Sequence, residues 1–205
     1  MAPKVTEEHK EQRRLEILKA ARKVFAEKGY EPMTMQDVIE ETGMSRGGVY
    51  LYFSNKEDLF MSMLEQKDDE GWDTFRQELE ELPTVWAFVD QLLADNEDSF
   101  NDFTDSLIPA IIEFFVAGWR EEKRMERQGV RYQRIIDAMT HMIELGKERG
   151  EFRPLLPSDV LARHISTVLD GIALHSLYLK AERVMMKEQI EAFRLSLKHL
   201  LQVQE

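Results

Sequence analysis

The feature that most constrains the fold of this chain is a helix stop and a helix start that lie one residue apart. Gly43 is typical of the position after a helix, and Ser45 is typical of a helix N-cap, with only Met44 between them. The preceding helix also has a start signal, because Thr34 is followed three residues later by Asp37, a spacing that resembles a capping box. Two short helices joined by a tight, glycine-containing turn predict a helix-turn-helix.

Helical periodicity continues along the rest of the chain, without a convincing strand pattern or repeat. We therefore predict an all-α protein of about nine helices. A three-helix domain that contains the helix-turn-helix would occupy residues 1–54, and a second helical domain residues 55–205. A helix over about 55–81 would link them. The other predicted helices cover about 9–28, 84–96, 103–120, 122–149, 158–179 and 186–203.

The second helix of the motif is read from the segment SRGGVYLYF, Ser45 to Phe53, and would be the recognition helix. Two adjacent glycines make this helix intrinsically weak, since each costs about 1 kcal/mol relative to alanine. Gly47 and Gly48 would allow the backbone to approach DNA closely. We expect Gly48→Ala to stabilise the free helix and, if close approach is the reason for glycine, to weaken DNA binding.

Charge is distributed unevenly over the chain, whose net charge is −12. Residues 1–60 carry 10 Lys and Arg against 11 Asp and Glu, whereas residues 61–205 carry 17 against 28. The first 28 residues are net basic, and no Lys or Arg occurs between Gln77 and Trp119. We therefore expect the two parts to bind different partners. The alternative is that the acidity of the second part serves only solubility.

The stretch KVFAEKGYEPMTMQDVIEETGMSRGGVYLYFSNKEDLF resembles the DNA-binding region of the tetracycline-repressor (TetR) family of bacterial regulators. The resemblance covers about residues 10–60 and many positions in fixed register. It implies a ligand-responsive, homodimeric transcriptional repressor that binds a palindromic operator in double-stranded DNA. It also implies that the DNA-binding residues are Thr34, Ser45, Arg46, Gly47, Gly48, Tyr50, Tyr52 and Lys56. Leu51, which departs from the family pattern, is added to this set as a candidate apolar contact.

Within that set, the resemblance implies that Thr34, Tyr50 and Lys56 contact DNA phosphates. Arg46 is long enough to bind guanine bidentately, and Leu51 could contact thymine methyl groups. Each side chain has a structural alternative. Tyr50 could be a buried tyrosine, Lys56 a solvated lysine, Thr34 only a cap, and Arg46 a phosphate contact.

For the C-terminal part, the resemblance implies a small-molecule effector and a dimer formed by the last two helices. A helix from Ser158 that is apolar on two faces independently suggests a second packing partner. The candidate pocket residues are Phe103, Glu113, Phe114, Trp119, Tyr132, Met139, Asp170 and His175. The alternative is pairing or solvation for the two carboxylates and core packing for the others. A cationic effector is a further hypothesis. The candidate dimer residues are Leu161, Ile165, Val168, Ile172, Phe193, Leu197 and Leu200.

Other kinds of site are not indicated. The chain has no cysteine, its five histidines form no metal-binding pair, and no P-loop, Rossmann or nucleophile-elbow pattern occurs. We therefore expect no cofactor, no metal and no enzymatic activity. The charged N-terminus and the absence of a long apolar run predict a cytoplasmic protein with no membrane segment, at the nucleoid when DNA-bound. The alternatives are an architectural DNA-binding protein without an effector, and a helical enzyme or interaction module that only mimics the motif.

Overall fold

The structure, a computed structural model, describes residues 6–103 and 106–204. Within these ranges the chain forms nine α-helices and no strand, which confirms the predicted fold class. No helix among the described residues is both long enough and apolar enough to span a bilayer. The helices are α1 Glu7–Lys28, α2 Met35–Thr42, α3 Arg46–Tyr50, α4 Lys56–Glu81, α5 Val85–Asn101, α6 Ile108–Ala117, α7 Glu122–Glu148, α8 Ser158–Leu179 and α9 Met186–Leu201.

The chain divides into two compact units, and these do not follow the expected boundary at residue 54. The first unit contains the described residues within 1–74 and 104–114, and the second those within 75–103 and 115–205. Apolar burial explains the difference, since Leu59, Phe60 and Leu64 near the start of α4 are core residues of the first unit. The helix expected to link the domains therefore belongs, over most of its length, to the first unit.

In the first unit, α1 packs against α2, and α2 leads into α3 through the turn at Gly43. The buried face of α1 includes Ile17, Leu18 and Phe25. Gly43 adopts a left-handed conformation with φ of 65°, which favours glycine because it has no Cβ. The helix-turn-helix is thus assembled by local caps and held by one apolar core.

In the second unit, α7 runs along α8, and α5 packs against α7, α8 and α9. Ile136 and Ile143 of α7 are buried and lie seven residues apart, so they share one face of the helix. Leu161, Ile165 and Ile172 of α8 are buried as well. A bundle of this kind leaves one face of α8 and α9 exposed.

Two helices are shorter than expected. The recognition helix ends at Tyr50 rather than Phe53, because Ser54 and Asn55 already bond to Asp58 in the first turn of α4 and start a new helix. Helix α6 begins at Ile108 rather than near residue 103, since Pro109 is tolerated only in a first helical turn. Residues 104 and 105 of the predicted helix lie outside the described part of the chain.

Candidate nucleic-acid interface

Helix α3 presents one exposed face and one buried face. Val49 is fully buried, and Phe53, just beyond the helix, is also in the core. Arg46 and Gly47 are exposed, Tyr50 is 38% exposed and Leu51 is 79% exposed. A leucine with so much of its surface in water points away from the core, so the four exposed residues form a surface that another molecule can reach.

The start of α3 is fixed by its cap. The Ser45 hydroxyl accepts a hydrogen bond from the Gly48 backbone N–H at 3.1 Å. One turn further on, the Arg46 guanidinium lies 5.4 Å from the centre of the Tyr50 ring. This cation–π contact at an exposed site holds the arginine only weakly, at about 0.5–1 kcal/mol, and leaves its N–H groups available to an acceptor.

The two adjacent glycines are not required by the backbone conformation of α3. Positive φ occurs only at Gly29, Gly43 and Gly150 among the described glycines. A Cβ added at Gly47 would meet nothing within 4 Å, whereas one at Gly48 would lie 3.2 Å from the Ser45 hydroxyl oxygen. Intramolecular packing therefore leaves room for a side chain at Gly47 and only tight room at Gly48.

Thr34 caps α2 as predicted, within a complete capping box. Its hydroxyl oxygen accepts from the Asp37 N–H at 3.4 Å, and its backbone N–H donates to Asp37 Oδ2 at 2.8 Å. Its hydroxyl group also donates to the same carboxylate oxygen at 2.9 Å. Because a hydroxyl has one proton, a phosphate contact from Thr34 would have to replace this last bond.

Asp37 is in addition paired with Lys28, whose Nζ lies 2.6 Å from Oδ1. The bond from Lys28 and the N–H of Thr34 hold the pKa of the Asp37 carboxyl below its usual range. The capping carboxylate therefore stays ionised at the positive end of the α2 dipole, where a negative charge is stabilising.

Lys56, the first residue of α4, is already held by the first unit. Its Nζ donates to the carbonyl oxygens of Tyr30 and Glu31 at 3.0 and 3.1 Å, and lies 4.4 Å from the centre of the Tyr30 ring. An ammonium group has three N–H donors, so one remains for a phosphate oxygen. The alternative of a freely solvated lysine does not describe this side chain.

The remaining DNA-binding candidate, Tyr52, is half-buried and lies in the turn after α3. Its backbone N–H donates to the Val49 carbonyl oxygen at 3.0 Å. Tyr52 thus closes the recognition helix, and its side chain is less accessible than that of Tyr50.

Two of the residues predicted to line the effector pocket, Glu113 and Phe114, lie instead in the first unit. Glu113 of α6 accepts hydrogen bonds at Oε2 from the backbone N–H groups of Tyr30 and Glu31, at 2.7 and 3.2 Å. Its neighbour Phe114 is fully buried, with its ring 4.7 Å from that of Tyr30 and 4.9 Å from that of Phe60. Both observations agree with the alternatives to a ligand-binding role: Phe114 is in the core, and the carboxylate of Glu113 has backbone partners.

The other pocket candidates are not gathered in one place. Trp119 and Tyr132 come together, since both line a depression of about 460 Å³ at the start of α7. Phe103 stacks on Phe100, and Met139 is half-buried on α7. The rest of this depression is lined by Phe115, Gly118, Arg124, Met125, Gln128 and Gly129.

The last two pocket candidates are on the exposed surface of α8. His175 is exposed, with its ring 5.6 Å from that of Tyr178. Asp170 also retains exposed surface, but partial desolvation of its carboxyl raises the pKa, which the hydroxyl of Ser166 and the charge of Arg131 partly oppose. Neither lines the depression near Trp119.

Most of the candidate dimer residues are already buried within the single chain. Leu161, Ile165, Ile172, Phe193 and Leu197 are each at most 5% exposed, whereas Val168 and Leu200 are half-buried. A side chain that is already buried adds little area to an interface with a second subunit. The exposed apolar residues of the same helices are Val160, Leu174, Tyr178, Leu179 and Leu195.

An all-α chain whose first unit is a capped helix-turn-helix with an exposed recognition face belongs to the helix-turn-helix class of DNA-binding proteins. The family model described as "Bacterial regulatory proteins, tetR family" matches residues 17–63, and "Tetracyclin repressor-like, C-terminal domain" matches residues 88–187. The chain belongs to the TetR family of transcriptional regulators.

Relatives and solved structures agree with this assignment. The chain is 38% identical, over the full length of both proteins, to "Uncharacterized HTH-type transcriptional regulator YfiR" of Bacillus subtilis. It is 28% identical to "HTH-type transcriptional repressor AcnR" of Corynebacterium diphtheriae over 82% of this chain and 83% of that protein. The structure of "FadR from Bacillus subtilis in complex with stearoyl-CoA" superposes with a TM-score of 0.67 and 18% identity, over 86% and 95% of the two chains, which shows a shared fold.

Proposed function

We propose that this regulator is a homodimeric repressor that leaves a palindromic operator when a small molecule binds to its second unit. The observation that carries the DNA-binding part is the exposed face of α3, formed by Arg46, Gly47, Tyr50 and Leu51. The relative from C. diphtheriae is named as a repressor, which supports repression over activation. Such a protein would act in the cytoplasm, at the nucleoid.

The exposed residues divide into base-reading and phosphate-binding groups. Arg46 is the long donor at the start of the recognition helix, and its planar guanidinium fits guanine O6 and N7. Tyr50 and Lys56 supply an O–H and an N–H for phosphate oxygens, which position the protein without reading sequence. Leu51 offers an apolar contact to thymine methyl groups.

DNA binding can be tested on the purified protein by selecting genomic fragments and measuring affinity against salt. We expect Lys56→Met to weaken binding to all fragments and to lower the salt slope by about 0.9 for each phosphate that is no longer neutralised. Arg46→Ala should also relax sequence preference and weaken binding to the selected site by about 1–3 kcal/mol. Lys19→Met, at an exposed lysine of α1, serves as the matched control.

Two results would contradict the proposal. A failure to enrich any fragment would overturn the regulator function itself. Enrichment of fragments without sequence preference, equally bound by wild type and Arg46→Ala, would instead support the architectural alternative.

For the effector, we propose the depression that contains Trp119 and Tyr132. Its lining is aromatic and apolar, with Arg124 as its basic residue and no Asp or Glu among the lining residues. The Oε1 atom of Gln128 is buried there and has no hydrogen-bond partner within the described structure. A ligand with an apolar body and a hydroxyl or amide donor fits this lining better than the cation suggested by the sequence.

For the dimer, we propose the exposed stripe of α8 together with the exposed face of α9. Val160, Leu174 and Tyr178 of α8 are exposed and lie on one side of the helix, because Leu174 follows Val160 by fourteen residues, or two heptads, and Tyr178 follows Leu174 by four. Leu195 of α9 is 60% exposed. Two-fold pairing of such faces would form a four-helix bundle and place two recognition helices about 34–36 Å, or a multiple, apart.

A further inference from the structure

The segment between α1 and α2 is held from two sides by residues distant in sequence. The backbone N–H groups of Tyr30 and Glu31 donate to Glu113, and the carbonyl groups of the same two residues accept from Lys56. Every backbone hydrogen-bonding group of this residue pair thus meets either a carboxylate or an ammonium group. Both charged partners belong to the same compact unit.

Gly29 creates the space that this arrangement needs. Its φ of 81° and ψ of 177° lie in a region that L-residues rarely adopt. A Cβ at this position would lie 2.8 and 2.9 Å from the two carboxylate oxygens of Glu113. The end of α1 therefore admits the carboxylate against the backbone because residue 29 has no side chain.

The position of Glu113 is fixed by the packing of the next residue. Phe114 is fully buried against Tyr30 and Phe60, which anchors this part of α6 in the core of the unit. Hydrogen bonds to an ionised acceptor are stronger than those between neutral groups. The Tyr30–Glu31 pair is consequently held by a carboxylate that cannot easily move away.

We propose that Glu113 is a positioning residue for DNA binding. It holds the Tyr30–Glu31 backbone in the conformation whose two carbonyl groups fix the Lys56 ammonium for a DNA phosphate. This inference rests on the proposed DNA-binding function and adds to it a residue more than 50 positions beyond the helix-turn-helix. Glu113 itself does not touch DNA in this scheme and acts through Lys56.

The test is a double-mutant cycle on the full-length protein, using a fragment that the wild type selects. Affinity and its salt dependence are measured for wild type, Glu113→Ala, Lys56→Met and the double variant. Each single change should lower affinity on the order of tenfold and reduce the salt slope by about 0.9 for each phosphate left without its cation. The double variant should bind no more weakly than Lys56→Met alone.

Rescue separates positioning from general destabilisation. Glu113→Gln retains an acceptor oxygen and should bind within a few-fold of wild type with an unchanged salt slope. If Glu113→Ala does not fold, Glu113→Asp takes its place in the cycle, because its side chain is one methylene too short for the same bonds. Its DNA affinity and salt slope should then match those of Lys56→Met.

Three results would overturn the inference while leaving the DNA-binding function intact. The first is that Glu113→Ala, or its Asp substitute, has the DNA affinity and salt slope of wild type. The second is that the losses of binding free energy in the two single variants add fully in the double variant. The third is that Glu113→Gln binds DNA as weakly as the Ala or Asp variant. A wild-type protein that selects no fragment would instead remove the proposed function on which the inference rests.

Discussion

The Lys56 ammonium nitrogen lies 3.0 Å from the Tyr30 carbonyl oxygen and 4.4 Å from the centre of the Tyr30 ring. A lysine ordinarily loses much side-chain freedom when it binds a phosphate. Here that freedom is already restricted in the free protein, so binding restricts it less. The carbonyl groups also leave one N–H of the ammonium unused, which is sufficient for a single phosphate oxygen.

The two glycines of the recognition helix give a prediction that distinguishes DNA contact from mere tolerance. Gly47→Ala should raise the free energy of unfolding by about 0.5–1 kcal/mol, since the added methyl group meets no atom and alanine favours the helix. Gly48→Ala should raise the free energy of unfolding by less than Gly47→Ala does, because its methyl group presses on the Ser45 hydroxyl that caps the helix. Chemical denaturation of both variants measures the difference.

Operator affinity of the same two variants shows whether glycine serves DNA binding. If the backbone approaches DNA closely at this point, both variants should bind more weakly although they are at least as stable as wild type. Unchanged or tighter binding by Gly47→Ala would show that a side chain fits at the interface.

The capping box of α2 predicts a pH-dependent contribution to stability. The pKa of Asp37 is depressed in the folded state, first by Lys28 and then by Thr34, so its stabilisation is present above the ordinary aspartate pKa of about 3.9. It is lost as the pH falls through the lower, folded-state pKa. Asp37→Asn should therefore cost about 0.3–1 kcal/mol at pH 7 and progressively less below pH 4.

Denaturation of wild type and Asp37→Asn at pH 7, 5 and 3 measures this dependence. Asp98→Asn, at an exposed position of α5, is the matched control and should change stability little at any of the three values. A cost for Asp37→Asn that stays constant from pH 7 to 3 would contradict the assigned role of its charge.

The proposed dimer face predicts the effect of a charge placed on α8. Leu174→Arg should shift the protein towards monomer, because two copies of a new charge would be buried near a two-fold axis. Leu15→Arg is the control, since Leu15 on α1 is 40% exposed, as Leu174 is 39% exposed. Sedimentation velocity over a range of concentrations distinguishes monomer from dimer in both variants. An unaltered dimer in Leu174→Arg would exclude this face of α8 as the dimer interface.

The depression around Trp119 predicts which class of ligand the protein binds. A medium-chain fatty alcohol, with an apolar chain and one hydroxyl donor, should change the Trp119 fluorescence, whereas a tetraalkylammonium ion should not. Gln128→Met removes the buried acceptor without a partner and should weaken alcohol binding several-fold while leaving the fold as stable as before. Trp119→Phe identifies the signal that comes from this site. A response to the ammonium ion alone would favour the cationic hypothesis instead.

Local signals in the sequence determined the secondary structure and the motif. Caps, glycine stops and the 3.6-residue period depend on neighbours within a few positions, which explains why the bounds of α2, α4, α7 and α8 agree closely with expectation. The capping box of Thr34 and Asp37 is also local, and its predicted bonds are present. Val49 could be assigned to the core for the same reason, because side-chain direction follows helical periodicity.

Only the tertiary structure decided the role of residues whose partners are distant in the chain. Glu113 interrupts an apolar helix face, and nothing near it in sequence shows that the Tyr30 and Glu31 N–H groups are its partners, 83 and 82 positions away. Likewise, apolar spacing marks two sides of α8 but does not show which side packs within the chain. Burial of Leu161 and exposure of Leu174 are set by the helices that α8 meets, and that packing exists only once the chain has folded.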